Sequence, residues 1–190
     1  MKPIIRTAAL HAALASMATA GVFNVVHLGP EEDIRFEISS GATSQAFELK
    51  FGGTTGRFIL PDKEAAVLNL PNRETKGLTI PASPEPNIAV LTMQEDKEVW
   101  KLIPGKPTQD KWSLRAVNLG TEPAVIEHAG KPMEIAAGAT VEIPATGQGD
   151  IAVSFKGGGK AIYDAKEPCA IVALLYPKDD VWQVMFVPDR

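Results

Sequence analysis

Val22-Phe23-Asn24-Val25-Val26-His27-Leu28-Gly29 and Ser113-Leu114-Arg115-Ala116-Val117-Asn118-Leu119-Gly120 read as two renderings of one strand ending on the same glycine. Two further matches follow in the same order. Glu85-Pro86-Asn87-Ile88-Ala89-Val90-Leu91 resembles Glu167-Pro168-Cys169-Ala170-Ile171-Val172-Ala173. Val99-Trp100-Lys101-Leu102-Ile103-Pro104 resembles Val181-Trp182-Gln183-Val184-Met185-Phe186-Val187-Pro188. One match between short apolar strands is common, but three in one order mark an internal duplication. On this alignment Asn87 faces Cys169, Trp100 and Trp182 are equivalent, and the second copy is shorter inside.

Each copy has the size of a small domain. The boundary falls at Pro104-Gly105-Lys106-Pro107-Thr108-Gln109-Asp110, where Gly and two Pro break any ladder and polar residues keep the segment wet. The expected organisation is a signal peptide over 1–20, one domain over 21–106 and a second over 107–190. A connection this short implies that the two copies touch.

Within each copy the period is two. Ile34, Phe36 and Ile38 alternate with Arg35 and Glu37; Phe47, Leu49 and Phe51 alternate with Glu48 and Lys50; Val141 and Ile143 flank Glu142. Such alternation places the apolar side chains on one face, which packs on a second sheet. Strands are expected near 22–28, 33–38, 46–51, 57–60, 65–70, 77–80, 87–93 and 98–103. In the second copy they are expected near 112–119, 123–128, 132–136, 139–143, 150–155, 160–163, 169–176 and 180–187. Gly52-Gly53, Gly147-Gln148-Gly149-Asp150 and Gly157-Gly158-Gly159 suit turns that need positive φ, and Pro61-Asp62 suits a turn start. The last two strands of each copy read as hairpins across Gln94-Glu95-Asp96-Lys97 and Pro177-Lys178-Asp179-Asp180. Ile88–Leu91 and Ala170–Leu175 are apolar on both faces, so each is expected to sit centrally or to pack one face on the other copy.

Many short strands with frequent turns make the expected fold class all-β: two tandem β-sandwiches. In layout and in the opening strand Val117-Asn118-Leu119-Gly120, the chain resembles immunoglobulin-like modules of secreted bacterial envelope proteins. The resemblance implies two antiparallel immunoglobulin-like sandwiches. It brings no functional residues, because the Cys…Trp…Cys pattern of antibody domains is absent.

The first twenty residues differ from the rest. Lys2 and Arg6 give a basic start, an apolar run follows over 7–15, and Ala18-Thr19-Ala20 supplies small residues at a cleavage site. That order is the pattern of a secretory signal, with cleavage expected after Ala20. No other stretch approaches the length a membrane span needs. The 190-residue chain carries 19 basic and 23 acidic residues; without Lys2 and Arg6 the balance is 17 against 23, or −6. An acidic surface does not suit nucleic acid, whose phosphates require Lys and Arg. Cys169 is the single cysteine and forms no internal disulfide, so an exported fold must rest on its core.

Candidate chemistry is sparse. His27 ends the first strand and aligns with Asn118, a place that asks for a polar hydrogen-bonding group. Neither His27 nor His128 has a partner at metal-ligand spacing. Cys169 could be a nucleophile with His128 as base, but an inert thiol, buried or half-buried at the start of an apolar strand, is the favoured reading. Gly157-Gly158-Gly159-Lys160 lacks the remainder of a phosphate loop. The acidic clusters Glu31-Glu32-Asp33, Glu95-Asp96 and Asp179-Asp180 lack the alternating pattern of a calcium loop. No cofactor and no metal are expected.

The expected function is therefore non-enzymatic: an exported structural or interaction protein of the bacterial envelope, periplasmic or at the cell surface. Its expected partner is a protein, and it is read as an accessory or subunit of a surface assembly. The alternative is a glycan- or peptide-binding sandwich. The candidate ligand or interface aromatics are Trp100, Trp112, Tyr163, Tyr176 and Trp182. Trp112, beside the boundary, is expected to plug the junction between the copies.

Overall fold

The computed structural model describes residues 21–60, 64–83, 85–106, 112–128, 131–143, 149–155, 160–165 and 167–189. The expected signal segment, the linker from Pro107 to Asp110, Pro61-Asp62 and the Gly157–Gly159 turn lie outside them. The described residues are all-β, and they contain no helix. The first half carries β1(Val22–Leu28), β2(Ile34–Ser40), β3(Thr43–Leu49), β4(Phe58–Ile59), β5(Ala66–Asn69), β6(Leu78–Ile80), β7(Pro86–Gln94) and β8(Lys97–Pro104). The second carries β9(Ser113–Asn118), β10(Ala124–His128), β11(Lys131–Ile135), β12(Thr140–Ile143), β13(Gly149–Phe155), β14(Lys160–Ala165), β15(Ala170–Lys178) and β16(Val181–Pro188). Each expected strand is present within a few residues of its expected ends. Gly149 and Asp150 belong to β13, paired with Ala165 and Asp164, rather than to the preceding turn.

Four four-stranded sheets result. In the first half their orders are β4-β1-β7-β8 and β3-β2-β5-β6; in the second they are β12-β9-β15-β16 and β11-β10-β13-β14. The second half repeats the first strand for strand. Both halves depart from a purely antiparallel sandwich at one place. β1 runs parallel to β7, and β9 runs parallel to β15. The intervening chain crosses the partner sheet, so the first strand and the penultimate one meet in the same direction.

Alternation divides the apolar side chains between three cores. One face of β1 and β7 gives Phe23, Val25, Ala89 and Leu91 to a core shared with Ile34, Phe36, Leu68 and Ile80 of the opposing sheet. The second half repeats this with Leu114, Ala116, Ile171, Ala173 and Leu175 against Ile126, Ile135 and Val153. The third core lies between the halves and explains why β7 and β15 are apolar on both faces. Val26, Leu28, Ile88, Val90 and Ile103 meet Val117, Leu119, Val172, Leu174 and Val187. The molecule is thus a stack of four sheets, in which the central strands of the inner two, β1, β7, β9 and β15, are buried on both faces.

Hairpin register corrects the sequence alignment. In the first hairpin Gln94 pairs with Lys97 and Leu91 with Trp100; in the second Lys178 pairs with Val181 and Leu175 with Val184. Trp100 is therefore equivalent to Val184, and Trp182 to Glu98. The two tryptophans are one pleat apart along their strands, not equivalent. The same register places Cys169 opposite Glu85 rather than Asn87. Phe51 also departs from its expected face. β3 ends at Leu49, and the Phe51 ring turns out to meet the His27 imidazole edge-on at 5.9 Å.

Candidate functional site

The strand ends that opened the comparison are structural. His27 is fully buried. Its Nδ1 accepts the Gly29 N–H at 3.2 Å, and Nε2 lies 2.9 Å from the Glu32 carbonyl. An imidazole that accepts at one nitrogen and donates at the other is neutral. Burial holds its pKa below the usual 6.5, only partly opposed by the bond to the Glu32 carbonyl. Asn118 performs the same task in the second half. Its Oδ1 accepts the Gly120 N–H at 2.8 Å, while Nδ2 donates to the Glu122 and Ile135 carbonyls at 2.8 and 2.9 Å. Two residue types thus satisfy the same turn, which is what the sequence alignment of these positions expects.

The junction between the halves holds the polar group that sequence reading missed. Arg115 and Asp189 are buried together. Arg115 donates through Nε and Nη2 to Asp189 Oδ2 at 2.9 and 2.6 Å, and through Nη2 to the Pro104 carbonyl at 3.0 Å. The Lys106 N–H donates to Asp189 Oδ1 at 3.1 Å. One carboxylate therefore ties the end of the last strand to the exit of the first half. The signal was a charged residue inside the apolar run Leu114–Leu119, whose partner lies at the far end of the chain.

At the other end of the interface the contacts are reciprocal. Gln94 Nε2 and Lys101 Nζ, from the first half, donate to the Leu119 carbonyl at 3.3 and 3.1 Å. Burial pushes the Lys101 pKa down. Lys178, the equivalent of Gln94, pairs with Glu31 at 2.5 Å and lies 4.7 Å from the centre of the Phe51 ring. The bond to Glu31 raises the Lys178 pKa. Each hairpin thus reaches the end of the other half's first strand.

The aromatic candidates do not converge. Trp100 is buried in the first core, its indole N–H without a hydrogen-bond partner. Trp182 is half-buried, stacked on Phe155 at 6.4 Å and set against Gly120. Tyr163 packs on Phe186 at 5.7 Å. Tyr176 lies in the interface core, where burial raises its pKa. Trp112 is half-buried against the second core and lines a cleft of about 430 Å³ with Lys106, Arg115 and Glu142. Lys106 and Glu142 pair across that cleft at 2.5 Å, which lowers the Glu142 pKa. Cys169 leads into β15 on one sheet, its carbonyl accepting the Ser113 N–H at 3.2 Å, and His128 closes β10 on the other. The His128 side chain is not among the described residues.

A different feature of the first half has the form of a site. β3 and β4, the edges of its two sheets, stand apart and leave a cleft of about 320 Å³ lined by Ile38, Phe47, Phe58, Ile59 and their polar neighbours. Ile59 is 69% exposed there, more than any other large apolar side chain described. Among the described residues, no group of three or more His, Cys, Asp or Glu side chains is placed to hold a metal ion. No helix among them is long and apolar enough to cross a membrane.

No protein-family model matches the chain, and no curated protein matches its sequence.

Proposed function

We propose that this chain is a non-enzymatic, exported protein of the bacterial envelope whose two immunoglobulin-like domains, 21–106 and 107–190, act as one rigid structural or interaction unit. The observation that carries this reading is the interface core. Five residues of one half meet their five equivalents of the other: Val26 and Val117, Leu28 and Leu119, Ile88 and Val172, Val90 and Leu174, Ile103 and Val187. Such self-complementary packing is the geometry of an isologous pair, here built within one chain. The buried polar groups Arg115, Asp189, His27 and Asn118 are engaged in holding this frame. What remains for contact with others is the sheet edges and the end loops, through which sandwiches recognise partners. The basic, apolar and small-residue order of residues 1–20 supports export.

The test is expression of the full chain in a bacterial host, followed by cell fractionation, N-terminal sequencing and cross-linking in the intact envelope. The expected product starts at Gly21, sits outside the cytoplasm and forms discrete cross-linked species. A chain retained in the cytoplasm with Met1 intact overturns export. An exported chain that stays monomeric and uncross-linked overturns the interaction role.

A further inference from the structure

We propose that His27 is the trigger of an acid-sensitive latch between the two halves. Protonation of its imidazole displaces the loop over 29–33 and so releases the β15–β16 hairpin of the second half at one end of the interface.

The latch is built from contacts in series. His27 is fully buried; it accepts at Nδ1 from the Gly29 N–H and donates at Nε2 to the Glu32 carbonyl. The neutral imidazole therefore holds the loop at both ends. Glu31, between those two contacts, pairs with Lys178 of the β15–β16 hairpin. The His27 ring also meets Phe51 edge-on, and Lys178 lies over the Phe51 ring. Loop and ring thus form two walls that grip one ammonium group from the other half. A cleft of about 320 Å³ already parts the halves beside them, with Leu28, Phe51 and Met93 on one side and Tyr176 and Pro177 on the other.

A proton on Nδ1 turns it into a donor aimed at the Gly29 N–H. Two donors then face each other in a place closed to solvent. The charged groups around His27 do not compensate. Glu98 of β8 and Asp33 of the loop attract an imidazolium, but Arg73, from the loop after β5, repels it and already pairs with both Glu98 and Glu32. Burial outweighs the carboxylates and keeps the His27 pKa below 6.5. The loop is the part that gives way, because Glu31, Glu32 and Asp33 are exposed whereas β1 is covered on both faces. Once it moves, water reaches the imidazolium and Glu31 leaves Lys178, while Asp96 and Asp179 remain around the cleft.

The other fastenings have no such trigger. Asn118 makes the equivalent bonds in the second half with a side chain that does not titrate. Gln94 and Lys101 hold the Leu119 carbonyl, and Arg115, Asp189 and the Lys106 N–H hold the far end. The latch therefore opens on one side only.

The experiment follows amide hydrogen exchange of the isotope-labelled full chain between pH 7.5 and 5, corrected for intrinsic rates, together with the His27 ring resonances. Protection over 29–33 and 176–181 is expected to fall below pH 6.5 by up to about tenfold per unit and to level off where the ring finishes titrating. Amides over 113–117 and 187–189 are expected to stay protected. His27→Asn is expected to abolish the response. Glu31→Ala, at an exposed position, is expected to leave the response of the loop intact and to remove that of the hairpin. Unchanged protection across the range, simultaneous loss at both ends of the interface, a response that persists in His27→Asn, or a hairpin response that persists in Glu31→Ala each overturns the proposal. Should His27→Asn not fold, Glu31→Ala decides. None of these readouts needs a partner, so the latch stands or falls apart from the interaction role.

Discussion

The two halves share one topology but protect their last strands differently. β8 carries Lys97, Glu98 and Lys101, whereas the equivalent places of β16 hold Val181, Trp182 and Met185. In the first half Arg73 bridges Glu98 and Glu32, and Thr75 donates to Glu98 at 2.7 Å, so the loop after β5 is fastened over the edge. In the second half Trp182 takes the place of Glu98 and lies over Gly120, closing the same region with an aromatic ring. The exchange shows that a sandwich edge is closed either by a charge network or by a large ring, while the core beneath is unchanged. A second exchange lies at the junction. Asn24 and Gly105 occupy the first half's equivalents of Arg115 and Asp189, so one half supplies the whole buried ion pair. The fastening between the halves is therefore asymmetric although their apolar contact is symmetric.

The largest effect is expected from breaking the apolar contact itself. Leu174→Asp places an unpaired charge between the inner sheets, at a cost of several kcal/mol. Calorimetry is expected to change from one transition to two, one for each half. A single transition in this variant would show that the halves do not fold on their own. Next is the asymmetric fastening. Arg115→Ala leaves the Asp189 carboxylate buried without its partner and is expected to cost about 3–5 kcal/mol in chemical denaturation. The double variant Arg115→Met/Asp189→Leu is expected to recover most of the loss, because replacing both charges removes the orphaned one. Asn24→Ala, at the equivalent place in the first half, is expected to cost far less.

A smaller effect separates His27 from Asn118. His27→Ala orphans the Gly29 N–H and the Glu32 carbonyl, at about 1–3 kcal/mol, whereas His27→Asn retains an acceptor and a donor and costs less. The pH dependence distinguishes them further. Because the folded pKa lies below 6.5, the unfolded chain takes up the proton first as pH falls. The stability from neutral His27 is present above 6.5 and is lost as pH drops through the window down to the folded pKa. His27→Asn is expected to remove this part of the acid sensitivity in melts between neutral and mildly acidic pH. The smallest effect lies in the hairpin turns. Glu95, Asp96, Asp179 and Asp180 have φ of 49°, 61°, 50° and 60°, a region that favours glycine. Asp96→Gly and Asp180→Gly are each expected to stabilise by about 0.5–1 kcal/mol, and by similar amounts if the two turns are true equivalents.

The alternation in Ile34–Ile38 and Phe47–Leu49 revealed the strands, and the runs Ile88–Leu91 and Ala170–Leu175 announced strands covered on both faces. Little of the candidate site was legible in the same way. The cleft at Ile59 depends on a gap between the edges of two sheets, and no local pattern records how far a second sheet extends. Phe51 read as a third member of the Phe47 face because the period continues through it, whereas the chain turns at Phe51–Gly52 and sends the ring to the interface.

The sequence by itself determined which residues alternate, where the chain turns, and that one unit occurs twice, because each is a property of neighbours along the chain. Register, the facing of equivalent apolar patches and the Arg115–Asp189 pair were decided only in three dimensions. A slip of two residues keeps every side chain on its own face, so alternation is blind to it. It took the cross-strand pairing of both hairpins to show Trp100 beside Leu91 and Trp182 beside Pro177.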